Sequence, residues 1–264
     1  MNPFNTFQVA RLPEIRFGSG AIDYLPEVLA VYGRNLLLVT GSRSLQQTPR
    51  WPQLLAALAQ AGWAWQQVTV DGEPSPELVD DAVLAHRDAA VDVVVGIGGG
   101  SVLDAAKAIA GLLRSGHSVL DHLEGVGRGL PYLGPAVPFV AVPTTAGTGS
   151  EATKNSVLSR RGHDGLKKSF RDNGMMAEVS IVDPSLLASC PKDRIASNGM
   201  DAVTQLLESY VSLRASPFTD ALASSGKQAF REGFWHAWNE EDPLAQKGFE
   251  RLAYASLCSG VTLA

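Results

Sequence analysis

A short apolar run that ends in three adjacent glycines constrains the fold of this chain more than any other feature. Residues 91–97 are dominated by β-branched side chains, which is typical of a strand buried on both faces of a sheet. Gly98, Gly99 and Gly100 follow, and apolar positions then recur with helical spacing over residues 101–113. A strand, a tight turn and a helix in this order form the repeating unit of a parallel α/β sheet.

The same alternation recurs along the first two thirds of the chain. Further strands are predicted over residues 35–40, 63–70, 138–145 and 179–184, and a helix from Pro76 to about residue 90. Beyond this point only helical patterns remain, over residues 185–190, 192–212, 217–235 and 243–264. We therefore predict a Rossmann-like α/β domain with a mostly parallel sheet over residues 1–184 and an all-α domain over residues 185–264.

Composition excludes several classes of partner. The 264 residues carry a net charge of −5, which offers no basic patch for nucleic acid, and no apolar run approaches the length that spans a bilayer. The N-terminus lacks the pattern of a secretory signal, and two cysteines cannot build a disulfide framework. We expect a cytoplasmic protein without nucleic-acid or membrane partners. Residues 251–264 form an apolar run without a closing cap, so the helical domain is expected to be incomplete.

The glycine turn has the features of a phosphate-binding loop. Glycines let the backbone approach a ligand closely, and the free N–H groups and dipole of the following helix favour an anion. The Ser101 hydroxyl would add a donor. The turn is neither a G-x-G-x-x-G fingerprint nor a Walker A loop, because Ser101 and Val102 follow the glycines. The alternative reading is a tight structural turn.

A second polar loop follows the next predicted strand. Thr144, Thr145 and Thr148 supply hydroxyl groups, and Gly147 and Gly149 keep the backbone accessible. Loops at the carboxyl ends of strands are where open α/β sheets bind ligands. An ordinary Ser/Thr turn would have the same composition, but two such loops after neighbouring strands favour a shared dinucleotide site.

Five stretches in this order resemble the iron-containing (group III) alcohol dehydrogenase family. They are Phe17-GSGA, Gly98-GGSVLDAAK, Pro143-TTAGTGSE, Val182-DPSL and Gly199-MDAVTQLLESYVS. The resemblance implies a fold similar to dehydroquinate synthase and hydride transfer between a small alcohol or aldehyde and NAD or NADP. It also implies a homodimer. The cofactor would lie in the cleft between the two domains.

The family's cofactor contacts can be carried over residue by residue. Gly99, Gly100 and Ser101 would hold the pyrophosphate, and Leu186 would approach the adenine. Thr144, Thr145 and Thr148 would line the nicotinamide side, with Asn155 and Lys168 nearby; Lys167 is the alternative to Lys168.

The residues after the first long strand bear on the choice between NAD and NADP. Many family members place Asp where this chain has Gly41, and that carboxylate accepts hydrogen bonds from the ribose of NAD. Without it, Ser42 and Arg43 are free to contact a 2′-phosphate. We therefore predict that NADP is tolerated or preferred, the alternative being that Arg43 only faces solvent.

The family's metal site uses one Asp and three His. Asp201 matches the first ligand, but the residue four positions later, on the same helical face, is Gln205. An amide oxygen is a weaker ligand for Fe²⁺ or Zn²⁺ than imidazole. The two remaining His positions would follow a segment that resembles the last residues of this chain, so the resemblance implies a metal site that the residues present do not complete. A cluster of His117, Asp121 and His122 is more simply a solvated loop.

Two other functions stay open from the sequence. One is a dinucleotide-binding chain without catalysis. The other is a lyase of the dehydroquinate synthase type, which uses NAD transiently; the Thr-rich loop argues against it.

Overall fold

The computed structural model describes residues 6–163, 165–239 and 241–264. Its eight strands are β1 (Glu14–Phe17), β2 (Asn35–Gly41), β3 (Ala64–Val70), β4 (Val93–Gly98), β5 (Phe139–Pro143), β6 (Asn155–Arg160), β7 (Leu166–Arg171) and β8 (Val179–Val182). Six of them form a fully parallel sheet in the order β1-β8-β5-β4-β2-β3. The predicted parallel α/β architecture is confirmed.

The helices are α1 (Leu25–Leu29), α2 (Arg50–Gln60), α3 (Pro76–His86), α4 (Gly100–Leu112), α5 (Lys192–Val211), α6 (Pro217–Trp238) and α7 (Ala245–Leu263). Local capping chemistry explains where two of them, α3 and α6, begin. The Ser75 side chain accepts a hydrogen bond from Leu78 N at the start of α3, and Ser216 and Thr219 form a capping box at the start of α6. Residues 184–189 form a 3₁₀ helix, and the described residues beyond it contain no strand, as predicted.

Two apolar layers cover the faces of the sheet. Leu37 and Val39 of β2 pack into a core with α3 and α4, whereas Leu36 and Leu38 face a second core with α1 and α2. Because both faces are buried, the central strands need apolar residues at every position, which explains their unbroken apolar runs.

The sequence prediction missed β1, β6 and β7. The short strand β1 lies at the edge of the sheet, and β6 and β7 pair only with each other as an antiparallel ribbon. Strands β1 and β7 are largely exposed, so polar and charged residues are accepted in them and the apolar signal is weak. Strand β6 is half buried, but two of its three buried residues are serines, so it also lacks an apolar run. The helix expected to reach about residue 90 ends at His86, and Ala90 has φ +48°.

The helices α5–α7 pack against the α/β part next to the Thr-rich loop. Gly149 has φ +61°, and a Cβ there would lie 2.5 Å from the Cα of Gly260 on α7. A Cβ on Gly147 would lie 2.7 Å from the Cβ of Asn198 on α5. Only glycine allows both the backbone conformation and the contact at position 149. The second polar loop is thereby held between the sheet and the helices.

A bilayer-spanning segment was not expected from the sequence. Within the described ranges, none of the helices combines the length and apolar character needed to cross a membrane.

Candidate dinucleotide site

The two loops predicted to share a ligand meet at the carboxyl edge of the sheet. Strands β4 and β5 are neighbours, and Thr144 N donates a hydrogen bond to Gly98 O at 2.9 Å. Strand β2 pairs with the other side of β4, so Gly41 and Ser42 emerge at the same edge. The structure therefore brings all three predicted cofactor segments together.

The glycine turn and the Thr-rich loop touch each other. A Cβ on Gly99 would lie 3.2 Å from Thr145 Oγ1, and a Cβ on Gly100 would lie 2.7 Å from Thr148 Oγ1. Helix α4 begins at Gly100 and has no side-chain cap. Val102 N donates to Gly99 O at 2.9 Å, and no side chain caps the N–H groups of Gly100 and Ser101 that precede it. Together with the helix dipole, these N–H groups favour an anion beside Ser101.

An acidic residue from the neighbouring strand lies beside the position predicted to read the ribose. Ser42 Oγ donates a hydrogen bond to Asp71 Oδ1 at 3.2 Å, and Asp71 is exposed directly after β3. Position 41 has no carboxylate of its own, and Asp71 supplies one from the neighbouring strand β3. The sequence prediction missed Asp71 because the contact joins residues on separate strands. The negative charge of Asp71 would repel a 2′-phosphate bound by Ser42, which opposes the predicted tolerance of or preference for NADP.

The antiparallel ribbon of β6 and β7 carries the remaining residues predicted to lie near the nicotinamide. Its register pairs Leu158 with Lys168 and Ser159 with Lys167. Directly paired residues share a face and side chains alternate along a strand, so Asn155 shares a face with Lys167, and Lys168 lies on the other. Lys167 Nζ forms an ion pair with Glu73 Oε1 at 3.2 Å. The assignment of Lys168 stays a prediction, and the register favours the alternative, Lys167.

The predicted adenine contact follows strand β8 and is largely covered by the core of the α/β part. Leu186 is on the 3₁₀ helix after β8 and is 6% exposed in the core shared with α1 and α2. Just before it, the buried carboxylate of Asp183 accepts hydrogen bonds from Gly20 N at 3.0 Å and Ile22 N at 3.2 Å. The Phe17-GSGA and Val182-DPSL motifs therefore form one structural unit.

Three ionisable side chains lie close together behind the two loops. Lys107 and Glu151 are buried, and Asp104 beside them is partly buried. Burial lowers the pKa of Lys107 to about 8 and raises the pKa of Glu151 to about 7; it also raises the pKa of Asp104. The sequence prediction gave these residues no role. One signal in the sequence could have indicated the buried lysine: Lys107 lies four positions after Leu103, on the apolar face of α4.

The proposed metal ligands lie on α5. Asp201 is exposed, and the Gln205 amide oxygen accepts a hydrogen bond from Ser259 Oγ on α7 at 2.9 Å. The one atom of Gln205 able to ligate a cation therefore already uses one of its two lone pairs. The residues that the structure describes contain no group of three or more His, Cys, Asp or Glu able to hold a metal. The cluster of His117, Asp121 and His122 therefore does not form a metal site. By themselves, one carboxylate and one amide oxygen on α5 are fewer and weaker donors than Fe²⁺ or Zn²⁺ takes in protein sites, so these two residues do not fit either ion.

Comparison with known sequences agrees with the motifs. Residues 13–184 match the family model for iron-containing alcohol dehydrogenases. The long-chain-alcohol dehydrogenase 1 of Geobacillus thermodenitrificans is 40% identical over 221 residues, 81% of this chain and 54% of that protein. A probable alcohol dehydrogenase, EutG, of Salmonella typhimurium is 37% identical over 222 residues, covering 83% of this chain and 54% of its own length. The chain thus spans about half the length of these relatives.

Solved structures show the same likeness. An iron-containing alcohol dehydrogenase from Thermotoga maritima is 29% identical, with a TM-score of 0.85 over 98% of this chain and 68% of that one. A sulfoacetaldehyde reductase from Bifidobacterium kashiwanohense, solved with NAD⁺, is 27% identical, with a TM-score of 0.86 over 98% and 67%. The family model covers more than half of the chain, and the motifs it spans converge on one site in the fold. The chain belongs to the iron-containing alcohol dehydrogenase family.

Proposed function

We propose that the chain is the cofactor-binding part of an NAD(P)-dependent oxidoreductase that interconverts small alcohols and aldehydes. The observation that carries the proposal is the meeting of the glycine turn and the Thr-rich loop at one edge of the sheet. Relatives named long-chain-alcohol dehydrogenase and NADPH-dependent butanol dehydrogenase support the reaction class. The likeness to a reductase solved with NAD⁺ supports the cofactor.

The chain's own groups bind and orient the dinucleotide. The N–H groups at Gly99, Gly100 and Ser101 hold the pyrophosphate at the uncapped start of α4. The hydroxyls of Thr144, Thr145 and Thr148 would line the nicotinamide side. When bound, the dinucleotide supplies the hydride chemistry, and the protein contributes binding, orientation and exclusion of water. Because the donors on α5 do not fit Fe²⁺ or Zn²⁺, no step is assigned to a metal.

Gly100→Ala tests the proposed site. The added methyl would lie 2.7 Å from Thr148 Oγ1, so the loops must separate, and we expect the Kd for NADH and NADPH to rise about tenfold or more. Gly111→Ala is the matched control, because it lies on the same helix away from the two loops, and its methyl would meet the flexible Met175 side chain at 3.3 Å and Phe170 Cε1 at an ordinary contact distance of 3.5 Å. Equal affinity in both variants would contradict this assignment.

A turnover assay separates the candidate reactions. Change in absorbance at 340 nm with a panel of alcohols and aldehydes is expected for a dehydrogenase. Tight dinucleotide binding without any change in absorbance at 340 nm across the panel would instead support a chain that binds the cofactor but does not catalyse a reaction. Turnover of a cyclising phosphorylated substrate without net NAD(P)H would support the lyase.

The proposal extends to assembly and location. We expect a homodimer, since the edge strand β1 exposes the apolar side chains of Ile15 and Phe17 as well as backbone groups that pair with no other strand in the described part of the chain. Light scattering at micromolar concentration measures this directly. A cytoplasmic location agrees with the free thiols of Cys190 and Cys258, and the net charge of −5 disfavours nucleic acid as a partner.

A further inference from the structure

Lys107 is joined to the segment that follows the Thr-rich loop. Its Nζ donates hydrogen bonds to Ser150 O at 2.8 Å and Asn155 O at 2.6 Å, and it contacts Thr153 Oγ1 at 3.2 Å. The side chain is 0% exposed, so none of these bonds competes with bulk water. Charge-assisted hydrogen bonds in a buried site are strong and directional.

Asp104, one turn earlier on α4, fastens the same segment. Its Oδ1 accepts from Ser150 Oγ at 2.6 Å, and its Oδ2 accepts from Val157 N at 3.1 Å. The Asp104 carboxylate also offsets the charge of Lys107, which would otherwise be costly to bury. Residues 150–157 are therefore tied to the middle of α4 by two charged side chains.

The same helix carries the proposed pyrophosphate site at its first turn. Residues 150–157 in turn continue from the Thr-rich loop and include Asn155, a predicted nicotinamide-side contact. We propose that Lys107 is a positioning residue that sets the spacing between the pyrophosphate turn and the nicotinamide-side loop. It acts from behind both loops and does not touch the dinucleotide. This inference rests on the proposed cofactor site.

The inference predicts that the two halves of the cofactor respond differently. ADP needs the glycine turn and the adenosine contacts, whereas NADH and NADPH also need the nicotinamide-side loop in place. A role of Lys107 in general stability would instead change both affinities together, or neither. The ratio of the dinucleotide Kd to the ADP Kd is therefore the informative quantity.

Three variants make the test robust. Lys107→Met removes the ammonium and leaves the buried Glu151 and the partly buried Asp104 without their cation, which is expected to destabilise the fold strongly. Thr153→Val removes one acceptor of Lys107 with little change in shape and keeps the test available if Lys107→Met does not fold. Ser156→Ala is the matched control, since the buried Ser156 hydroxyl bonds to the backbone of α4 at Asp104 O, at 2.8 Å, and not to Lys107.

The Kd for the tighter of NADH and NADPH is measured by fluorescence, and the Kd for ADP by calorimetry, on variants whose circular dichroism shows a folded chain. We expect the dinucleotide Kd to rise about tenfold in Lys107→Met and about threefold in Thr153→Val, with the ADP Kd unchanged within twofold. Ser156→Ala should change neither. Parallel loss of both affinities, or no loss in folded Thr153→Val, overturns the inference. A wild-type chain that binds neither dinucleotide overturns the proposed function itself.

Discussion

Asp71→Asn is expected to shift the cofactor preference of this chain toward NADP. Asp71 Oδ1 lies 3.2 Å from Ser42 Oγ, the group predicted to contact the ribose or its 2′-phosphate. A phosphate oxygen hydrogen-bonded to Ser42 would therefore lie within about 6 Å of the carboxylate. Asparagine keeps the shape and an acceptor for Ser42 but removes the negative charge.

The size of the shift follows from this distance. Two unit charges about 6 Å apart repel by about 0.7 kcal/mol in water and by about 2.8 kcal/mol at an effective dielectric constant of about 20. An intermediate value of about 1.4 kcal/mol corresponds to about a tenfold change in the ratio of the NADP and NAD dissociation constants. Because Asp71 is exposed, the shift should shrink in about 0.5 M salt.

Fluorescence titration with NADPH and NADH measures the ratio directly. Asp88→Asn is the matched control, because it removes the same charge from an exposed side chain after α3, at the opposite edge of the sheet. A ratio that stays within twofold of wild type in Asp71→Asn would refute the reasoning, as would an equal shift in Asp88→Asn. The first result would mean that the 2′-phosphate does not approach Ser42.

Two further substitutions test other parts of the site. Burial raises the pKa of Glu151 to about 7, so the folded state holds its proton longer than the unfolded state and stability falls as pH rises from about 4.5 to 7. A glutamine at this position does not titrate. The free energy of unfolding of Glu151→Gln, measured in urea, should therefore rise relative to that of wild type by on the order of 2–3 kcal/mol between pH 5 and 7.5. Free energies of unfolding that vary in parallel with pH in the two proteins would contradict this. Gln205→His places an imidazole four residues after Asp201 and should tighten Zn²⁺ binding measured by calorimetry, whereas Gln205→Asn should not; equal affinities would show that the α5 pair is not accessible to the ion.

The sequence alone determined the parts of this protein that depend on neighbouring residues. The β-branched runs around Val94, the glycines at 98–100 and the proline and serine signals of the helices specify local backbone states, which predicted the parallel α/β fold and the cofactor turn. Sequence motifs also led to the family, because they preserve the residues of these turns in order.

Only the tertiary structure decided which distant residues meet. Ser42 and Asp71 touch because β2 and β3 are adjacent, and Lys107 finds its acceptors because β6 lies across α4. The same holds for Gln205, whose amide oxygen accepts a hydrogen bond from Ser259 on another helix. Such contacts depend on strand order and helix packing, which no local periodicity encodes, and they determine the charge and the spacing at the cofactor site.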